Sequence, residues 1–366
     1  MKKIAMLYLG RKGAGPVYAY EMALALSKHN CVFVVLSSFI ENKKSWDSVV
    51  KVDKNLSVKY VNTYNSIAGF LFSSLNIFHF IKIIKSINLY RPDLFYSPME
   101  HFWDVAIYPF VKCGLKIKTI HDIKLHKQED SFIYRFFHQF AFKQADKYVI
   151  LSKKFTKDLV DKGIKEQNII HIPHANFSYY ADKQENRNFH FNNKILFFGR
   201  ILEYKGLHIL LSAMKIVTKE MLDIKLVIAG DGNISSCKND IEILHDNIEL
   251  HNRWIPIEDV KNYFQEIDIV ILPYIQASQS GIIPLAYSFS KPVIASNIGA
   301  LDEQLYDGKT GYLVESDNPK ILSEKILQLM KSPDTIHKMS KECYKVYKNE
   351  MTWEASAKKI MECLSD

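Results

Sequence analysis

Ile195-Leu196-Phe197-Phe198-Gly199-Arg200, followed by Lys205-Gly206-Leu207, is the stretch on which the fold turns. An apolar run ends at a glycine, two cations follow, and a helical pattern runs from Gly206 to Val217. Strand, loop and helix in that order open a βαβ unit. Two cations at the mouth of such a unit suit a diphosphate, because arginine makes paired hydrogen bonds and lysine adds a point charge. Exposed cations that are merely solvated are the other reading.

The same alternation extends along most of the chain. Downstream, strands are expected at Lys225–Gly230, Asn247–His251, Asp268–Pro273 and Pro292–Ser296. Helices are expected at Ile257–Phe264, Ile283–Phe289, Lys320–Met330, Ile336–Tyr347 and Trp353–Leu364. Upstream, strand candidates are Ile4–Leu9, Cys31–Leu36, Ser57–Val61, Leu94–Ser97, Ile117–His121, Lys147–Leu151 and Ile169–Ile172. Val17–Ser27 is the clearest helix of that half, with Pro16 where a first helical residue tolerates proline. A polar interval, Ala175–Asn193, separates the two series. The pattern implies two Rossmann-like, doubly wound parallel sheets with crossover helices. The expected domains are 1–175 and 190–350, with a closing segment 351–366. Such sheets bind ligands beyond the carboxyl ends of their strands, and two that face each other make a cleft.

The 366 residues are 48% hydrophobic and 24% charged, the balance of a globular chain with sizeable cores. The most apolar stretch, Ile67–Ile84, is broken by Ser73, Ser74, Asn76, His79 and Lys82, which argues against a spanning helix. The opening MKKIAMLYLGRKGAG reads as a strand entering a glycine loop, not a signal peptide. Cys31, Cys113, Cys237, Cys343 and Cys363 are scattered without a Cys-x-x-Cys, so a disulfide framework or zinc site is not expected and a reducing cytoplasm fits. The net charge of +8 divides into +12 for residues 1–180 and −4 for the remainder. A basic half attracts polyanions such as nucleic acid, an anionic membrane or phosphorylated ligands, unless it is only a solvated lysine-rich surface.

Gly10-Arg11-Lys12-Gly13-Ala14-Gly15-Pro16 follows the first strand and opens a helix. Glycines there let backbone N–H groups approach a phosphate; a tight turn without a ligand is the alternative. Tyr18 stands where a dinucleotide fingerprint needs its third glycine, so nicotinamide binding is poorly supported. Gln276-Ala277-Ser278-Gln279-Ser280-Gly281-Ile282-Ile283-Pro284 follows another strand. It can present N–H groups to an anion, or Ser278 or Ser280 can cap the next helix. His121-Asp122 ends the strand Ile117–Ile120, where a histidine can face a cleft or serve structure alone. Phe70–Lys85 and Phe132–Lys143 are aromatic and basic, in the manner of interfacial helices and also of core helices. No Gly-x-Ser-x-Gly, His-Glu-x-x-His, Walker loop or pair of aspartates one residue apart occurs.

Taken as a set, the second half resembles the nucleotide-sugar glycosyltransferases of family 4, which have the GT-B fold. The resemblance rests on Phe198-Gly199-Arg200…Lys205-Gly206, Ile228-Ala229-Gly230-Asp231-Gly232, Lys291-Pro292-Val293-Ile294-Ala295-Ser296-Asn297-Ile298-Gly299-Ala300, Glu303, and Asp307-Gly308-Lys309-Thr310-Gly311-Tyr312-Leu313-Val314. It covers about residues 195–315. Thr352-Trp353-Glu354 onward looks like the family's last helix, which crosses back onto the first domain. Over 1–180 the likeness is weaker and rests on Gly13–Gly15, His121-Asp122, Ser152 and His171-Ile172-Pro173-His174.

The resemblance implies a retaining, metal-independent glycosyl transfer from a UDP- or GDP-sugar, with no cofactor. Arg200 and Lys205 would neutralise the leaving diphosphate, with hydrogen bonds from Gly199, Ser280 and the backbone of Gly281, Ile282 and Ile283. Gly13 and Gly15 would approach from the first domain, and His121 would lie near the sugar or acceptor. The phosphate itself would accept the acceptor's proton. The family's paired glutamates align near Ser278 and near Leu285 or Ala286, none of them acidic. Ribose and sugar hydroxyls would then fall to Ser278, Gln279, Ser280 or Glu303. A similar Ser-Gln-Ser-Gly segment occurs in polysaccharide-assembling relatives. The expectation is therefore a lipid-linked glycan acceptor, in surface polysaccharide, lipopolysaccharide or glycoconjugate assembly. Peripheral contact with an anionic membrane, at its cytoplasmic face, is expected, and a nucleic-acid partner is not. A non-catalytic GT-B subunit that binds a nucleotide sugar or a partner is the alternative, with epimerases and dehydrogenases on similar sheets behind it.

Overall fold

A computed structural model describes residues 1–121, 144–181 and 189–364. The chain divides into two units: Met1–Pro173 with Trp353–Asp366, and His174–Thr352.

In the first unit, β1 (Lys3–Tyr8), β2 (Cys31–Ser37), β3 (Leu56–Val61), β4 (Leu94–Ser97), β5 (Leu115–Ile120), β6 (Lys147–Ile150) and β7 (Ile169–His171) form one sheet in the order β3-β2-β1-β4-β5-β6-β7. Every pairing is parallel, with Ile4 beside both Val32 and Leu94. Strands covered on both faces read as continuous apolar runs, not alternations, and β1 and β4 are buried almost throughout. Helix α1 (Ala14–Ser27) starts three residues before the expected Val17, because Gly13 takes the cap position and Pro16 is tolerated in the first turn. It is buried on nearly all sides, as a helix apolar all round must be. Further along come α2 (Lys43–Val49), α3 (Ile67–Leu75), α4 (Ile77–Tyr90), α5 (Asp104–Ile107) and α6 (Thr156–Asp161). The aromatic segment Phe70–Lys85 is thus split between α3 and α4. The segment Phe132–Lys143 and Asp122 lie outside the described residues.

In the second unit, β8 (Lys194–Phe198), α7 (Leu207–Glu220), β9 (Lys225–Ala229), α8 (Lys238–Ile243), β10 (Ile248–His251), α9 (Val260–Gln265), β11 (Ile269–Leu272), α10 (Ile282–Ser288), β12 (Val293–Ser296), β13 (Gly311–Val314), α11 (Pro319–Met330) and α12 (Pro333–Asn349) follow in turn. The sheet order is β10-β9-β8-β11-β12-β13, again all parallel. Leu210, Met214, Ile228, Ile271, Ile326 and Met339 share one core made by α7, the strands and α11–α12. Two expectations change. The helix expected over Ile257–Phe264 opens as a 3-10 turn, Ile257–Asp259, before α9 begins. β13 was not among the expected strands, since only part of Gly311–Val314 is apolar and its interior residues are half-buried.

The division falls at Pro173/His174, slightly ahead of the expected 175. His174 to Phe177 pack on the second unit: Asn176 N–H donates to Met351 O at 2.9 Å and Phe177 N–H to Ser288 Oγ at 2.9 Å. The last helix, α13 (Trp353–Glu362), returns to the first unit and lies along α1. Trp353 meets Tyr18 edge-on at 4.7 Å, and Lys28 pairs with Glu354.

Candidate active site

In both sheets the strand order reverses beside the first strand of the unit, between β1 and β4 and between β8 and β11. The loops leaving such a pair diverge and leave a crevice at the carboxyl ends.

In the second unit the loop after β8 carries Gly199 and the exposed Arg200, then turns through Glu203–Lys205 into α7. Gly206 ends that turn at φ 70°, and a Cβ there would fall 1.8 Å from Pro273 O, so only glycine fits. Ile275 N–H donates to Tyr204 O at 2.7 Å, which ties this loop to the one after β11. Lys205 is half-buried. Its Nζ donates to Tyr274 Oη at 2.9 Å and sits 4.3 Å from that ring's centre. No ion pair engages Lys205 among the described residues. The ammonium is held by a phenol and a π-face, which orient it without neutralising it.

The loop after β11 is clamped from the far side. Ser280 N–H donates to Gln304 Oε1 at 2.8 Å, and Gln304 Nε2 donates to Ser280 O at 2.9 Å. Ala300 N–H donates to Ser278 O at 3.0 Å. Ser278 and Ser280 are buried, and Gln279 is half-buried with Oε1 enclosed and without a hydrogen-bond partner among the described residues. Ser280 Oγ accepts from Ile282 N–H at 3.2 Å, so that donor is already engaged. Gly199 and Ile282 are neighbours: a Cβ on the glycine would lie 3.9 Å from Ile282 Cδ1. Ile283 is buried behind them, and Glu303 is exposed on the short turn Leu301–Glu303. His174, buried, places Nε2 3.5 Å from where a Cβ on Gly281 would sit. Gly199, Lys205, Ser280, Gly281 and Ile282 are therefore gathered on adjoining loops.

Gly13, Gly15 and His121 belong to the first unit. Gly13 precedes α1, and a Cβ on Gly15 would fall 2.3 Å from Tyr8 Oη. His121 follows β5, and its Nε2–H donates to Pro98 O at 2.8 Å. Its ring meets Tyr18 edge-on at 5.0 Å. Tyr18, conspicuous in the sequence as a missing glycine, is a buried wedge between His121 and Trp353. Burial pushes its phenol up to about 12, against hydrogen bonds with Tyr96 and Thr119. Nearby, Arg11 Nη1 donates to Tyr64 O at 2.7 Å. His101 Nδ1 accepts from Trp103 N–H at 3.1 Å, so its Nε2–H donates to Tyr64 Oη at 3.1 Å. Burial holds the His101 imidazole down to about 4.

Tyr274 and Gln304 are the site residues that the motifs alone did not single out, and His174 was quoted within a motif but given no role. Tyr274 stands just before a quoted motif, which was a usable signal. Nothing local marks Gln304, whose partner is 24 residues away. Among the described residues no group of three or more His, Cys, Asp or Glu side chains could hold a metal ion.

Residues 192–332 match the family model described as glycosyl transferases group 1. The chain is 26% identical over 261 residues to an uncharacterized glycosyltransferase of Methanocaldococcus jannaschii, covering 69% of this chain and 70% of that one. It is 23% identical over 171 residues, 44% of each chain, to the capsular polysaccharide biosynthesis glycosyltransferase CapM of Staphylococcus aureus. Among solved structures, HepE of Anabaena in complex with UDP and glucose matches over 100% of both chains with a TM-score of 0.74 at 16% identity. The fold is GT-B, and residues 192–332, within the second unit, are similar to the group 1 glycosyl transferases. The relatives it resembles are named glycosyltransferases, one of them for capsular polysaccharide biosynthesis.

Proposed function

We propose that the chain moves a glycosyl unit from a UDP- or GDP-sugar to a lipid-linked glycan acceptor during surface polysaccharide assembly, at the cytoplasmic face of a membrane. The observation that carries this reading is Lys205, an ammonium held on Tyr274 with no carboxylate partner among the described residues, at the crevice beside β8. Breaking the bond between the sugar's anomeric carbon and the diphosphate leaves negative charge on the β-phosphate. Fixed positive groups there stabilise the transition state, and Arg200 and Lys205 are the cations at hand. The acceptor hydroxyl attacks from the face the diphosphate leaves and gives its proton to the departing phosphate oxygen. Configuration is retained, and neither a side-chain nucleophile nor a metal is required. Ser278, Gln279, Ser280 and Glu303 offer the polar groups for ribose and sugar hydroxyls. The unsatisfied Gln279 Oε1 is the acceptor best suited to a hydroxyl donor. The first unit takes the acceptor, with His121 oriented by Pro98 and Tyr18. HepE's complexes with UDP and glucose support a uridine donor.

A second reading has its own observation. Ser278, Leu285 and Ala286 are neutral where the resemblance leads one to expect carboxylates, and all are buried. That fits a subunit that binds a nucleotide sugar without turning it over. Thermal-shift and calorimetric titrations with UDP, GDP, dTDP and ADP, with and without EDTA, separate the cases when paired with nucleotide release from the matching sugar donors. A ligand at 100 times its Kd raises stability by about 2.7 kcal/mol. Selective, EDTA-insensitive binding that weakens in Arg200→Ala, with acceptor-dependent release, is the expected result. Binding without release under any acceptor extract favours the scaffold, and no binding at all removes the donor-site assignment.

A further inference from the structure

We propose that the bent pair α3–α4 seats the first unit on an anionic lipid bilayer by burying its outer apolar surface in the headgroup–acyl boundary. Helix α3 is amphipathic in the inverted sense. Its polar residues turn inward, where Ser73 Oγ donates to Thr63 O at 2.9 Å and Ser74 Oγ accepts from Trp103 Nε1 at 2.8 Å. Its outward row is Ala68, Leu71, Phe72 and Leu75. Helix α4 already buries Phe80, Ile83 and Ile87 in the core, yet carries a second row, Phe78, Ile81, Lys82, Lys85 and Leu89, on the exposed side. The helices bend by 69° where they meet. Leu71, Phe72, Leu75, Ile77 and Phe78 there leave between 59% and 82% of their surface exposed. Hydrophobic side chains scattered singly need no explanation, but a contiguous exposed row at a bend does.

The charge pattern selects the occupant. No acidic residue occurs between Asp53 and Asp93. Exposed Lys82 and Lys85 border the apolar row, and exposed Lys112 beside Phe110 adjoins it through Asn88, which bonds both Lys112 N and Phe110 O. A second copy meeting this face by two-fold symmetry would set these lysines against an identical surface with no acid to answer them. Lipid phosphates answer them directly. Neither helix alone is long and apolar enough to cross a membrane; only the two together are, across a 69° bend, and with Phe80, Ile83 and Ile87 committed to the core the exposed row suits the interface rather than a crossing. The inference rests on the reading above only for its purpose, which is to bring the acceptor side to lipid-borne glycan.

The test is co-sedimentation of the full chain with phosphatidylcholine vesicles, with and without phosphatidylglycerol, at low and high salt. Wild type is expected to bind the anionic vesicles and to release as salt rises. Phe72→Asp/Phe78→Asp should weaken binding by about tenfold or more, and Lys82→Glu/Lys85→Glu should remove the preference for phosphatidylglycerol. Leu71→Ser/Phe72→Ser is the milder replacement should the aspartates prevent folding. UDP binding, a property of the second unit, should persist in every variant; its absence from wild type would count against the donor site and leave this result standing. No sedimentation with either vesicle would overturn the proposal. So would variants that bind like wild type, or a lipid-free dimer that Phe72→Asp/Phe78→Asp dissolves.

Discussion

Gln304 grips Ser280 with both ends of its amide: Oε1 accepts from Ser280 N–H at 2.8 Å while Nε2 donates to Ser280 O at 2.9 Å. Both residues are buried, so the pair sets the backbone of the Ser-Gln-Ser-Gly loop from behind. Gln304→Leu would leave two buried backbone groups unpaired, a cost of about 3 kcal/mol. The variant should show a lower denaturation midpoint and weaker UDP binding by calorimetry. A variant matching wild type in both would mean the loop holds its shape without the clamp.

Lys205→Ala and Arg200→Ala should each lower turnover by ~100-fold or more, the scale of losing one preorganised oxyanion donor. Tyr274→Phe keeps the π-face under the ammonium but removes its hydroxyl acceptor, and about a threefold to tenfold loss is expected from a single hydrogen bond. Steady-state kinetics with a donor panel would measure all three. Near-normal turnover in both cation variants would refute the diphosphate assignment.

Acid stability should depend on histidines beneath the first unit's loops. Burial pushes His101 down to about 4 and also lowers His79. Unfolded histidine titrates near 6.5, so as pH falls from about 6.5 toward 4 the unfolded chain takes up protons that the folded chain refuses. Stability is therefore lost on acidification through that window and is flat, for these groups, above it. Urea midpoints measured across pH 4–7 should fall more steeply for wild type than for His101→Gln. Parallel curves would remove His101 from the account.

Trp353→Ala should cost about 3–5 kcal/mol, the scale of deleting a buried aromatic ring. Trp353 is 4% exposed and packs on Tyr18, whose other edge supports His121. The expected signature is a lower melting temperature for the first unit, with UDP affinity retained and acceptor-dependent kcat/KM reduced. Unchanged kcat/KM at a temperature where the variant is folded would show that His121 does not need this support.

Much of this was legible in the sequence because parallel strands buried on both faces are short apolar runs, and Ile4–Leu9 or Asp268–Pro273 admit little else. Gly311–Val314 escaped because an edge strand half open to solvent loses that signature. Arg200 and Lys205 could be picked out by their place after a strand and before a helix. The Gln304–Ser280 clamp could not, since an amide has no local periodicity and its partner is set by tertiary packing. Tyr18 was legible only as a glycine that was missing. The apolar character of Phe70–Lys85 was plain, but periodicity does not say which row faces out. That follows from the serines Ser73 and Ser74 being drawn inward.

Helix α13 gives the chain an unusual order of assembly. The face of α1 that receives Trp353 is made early, and its cover is made after all of His174–Thr352. At ribosomal speeds of ~5–20 residues per second, that delay is on the order of 10 to 40 s. Throughout it the face of α1 around Tyr18 in the nascent first unit stays uncovered, while the second unit, contiguous in sequence, can close as soon as it emerges. The later-made unit is thus free to finish first.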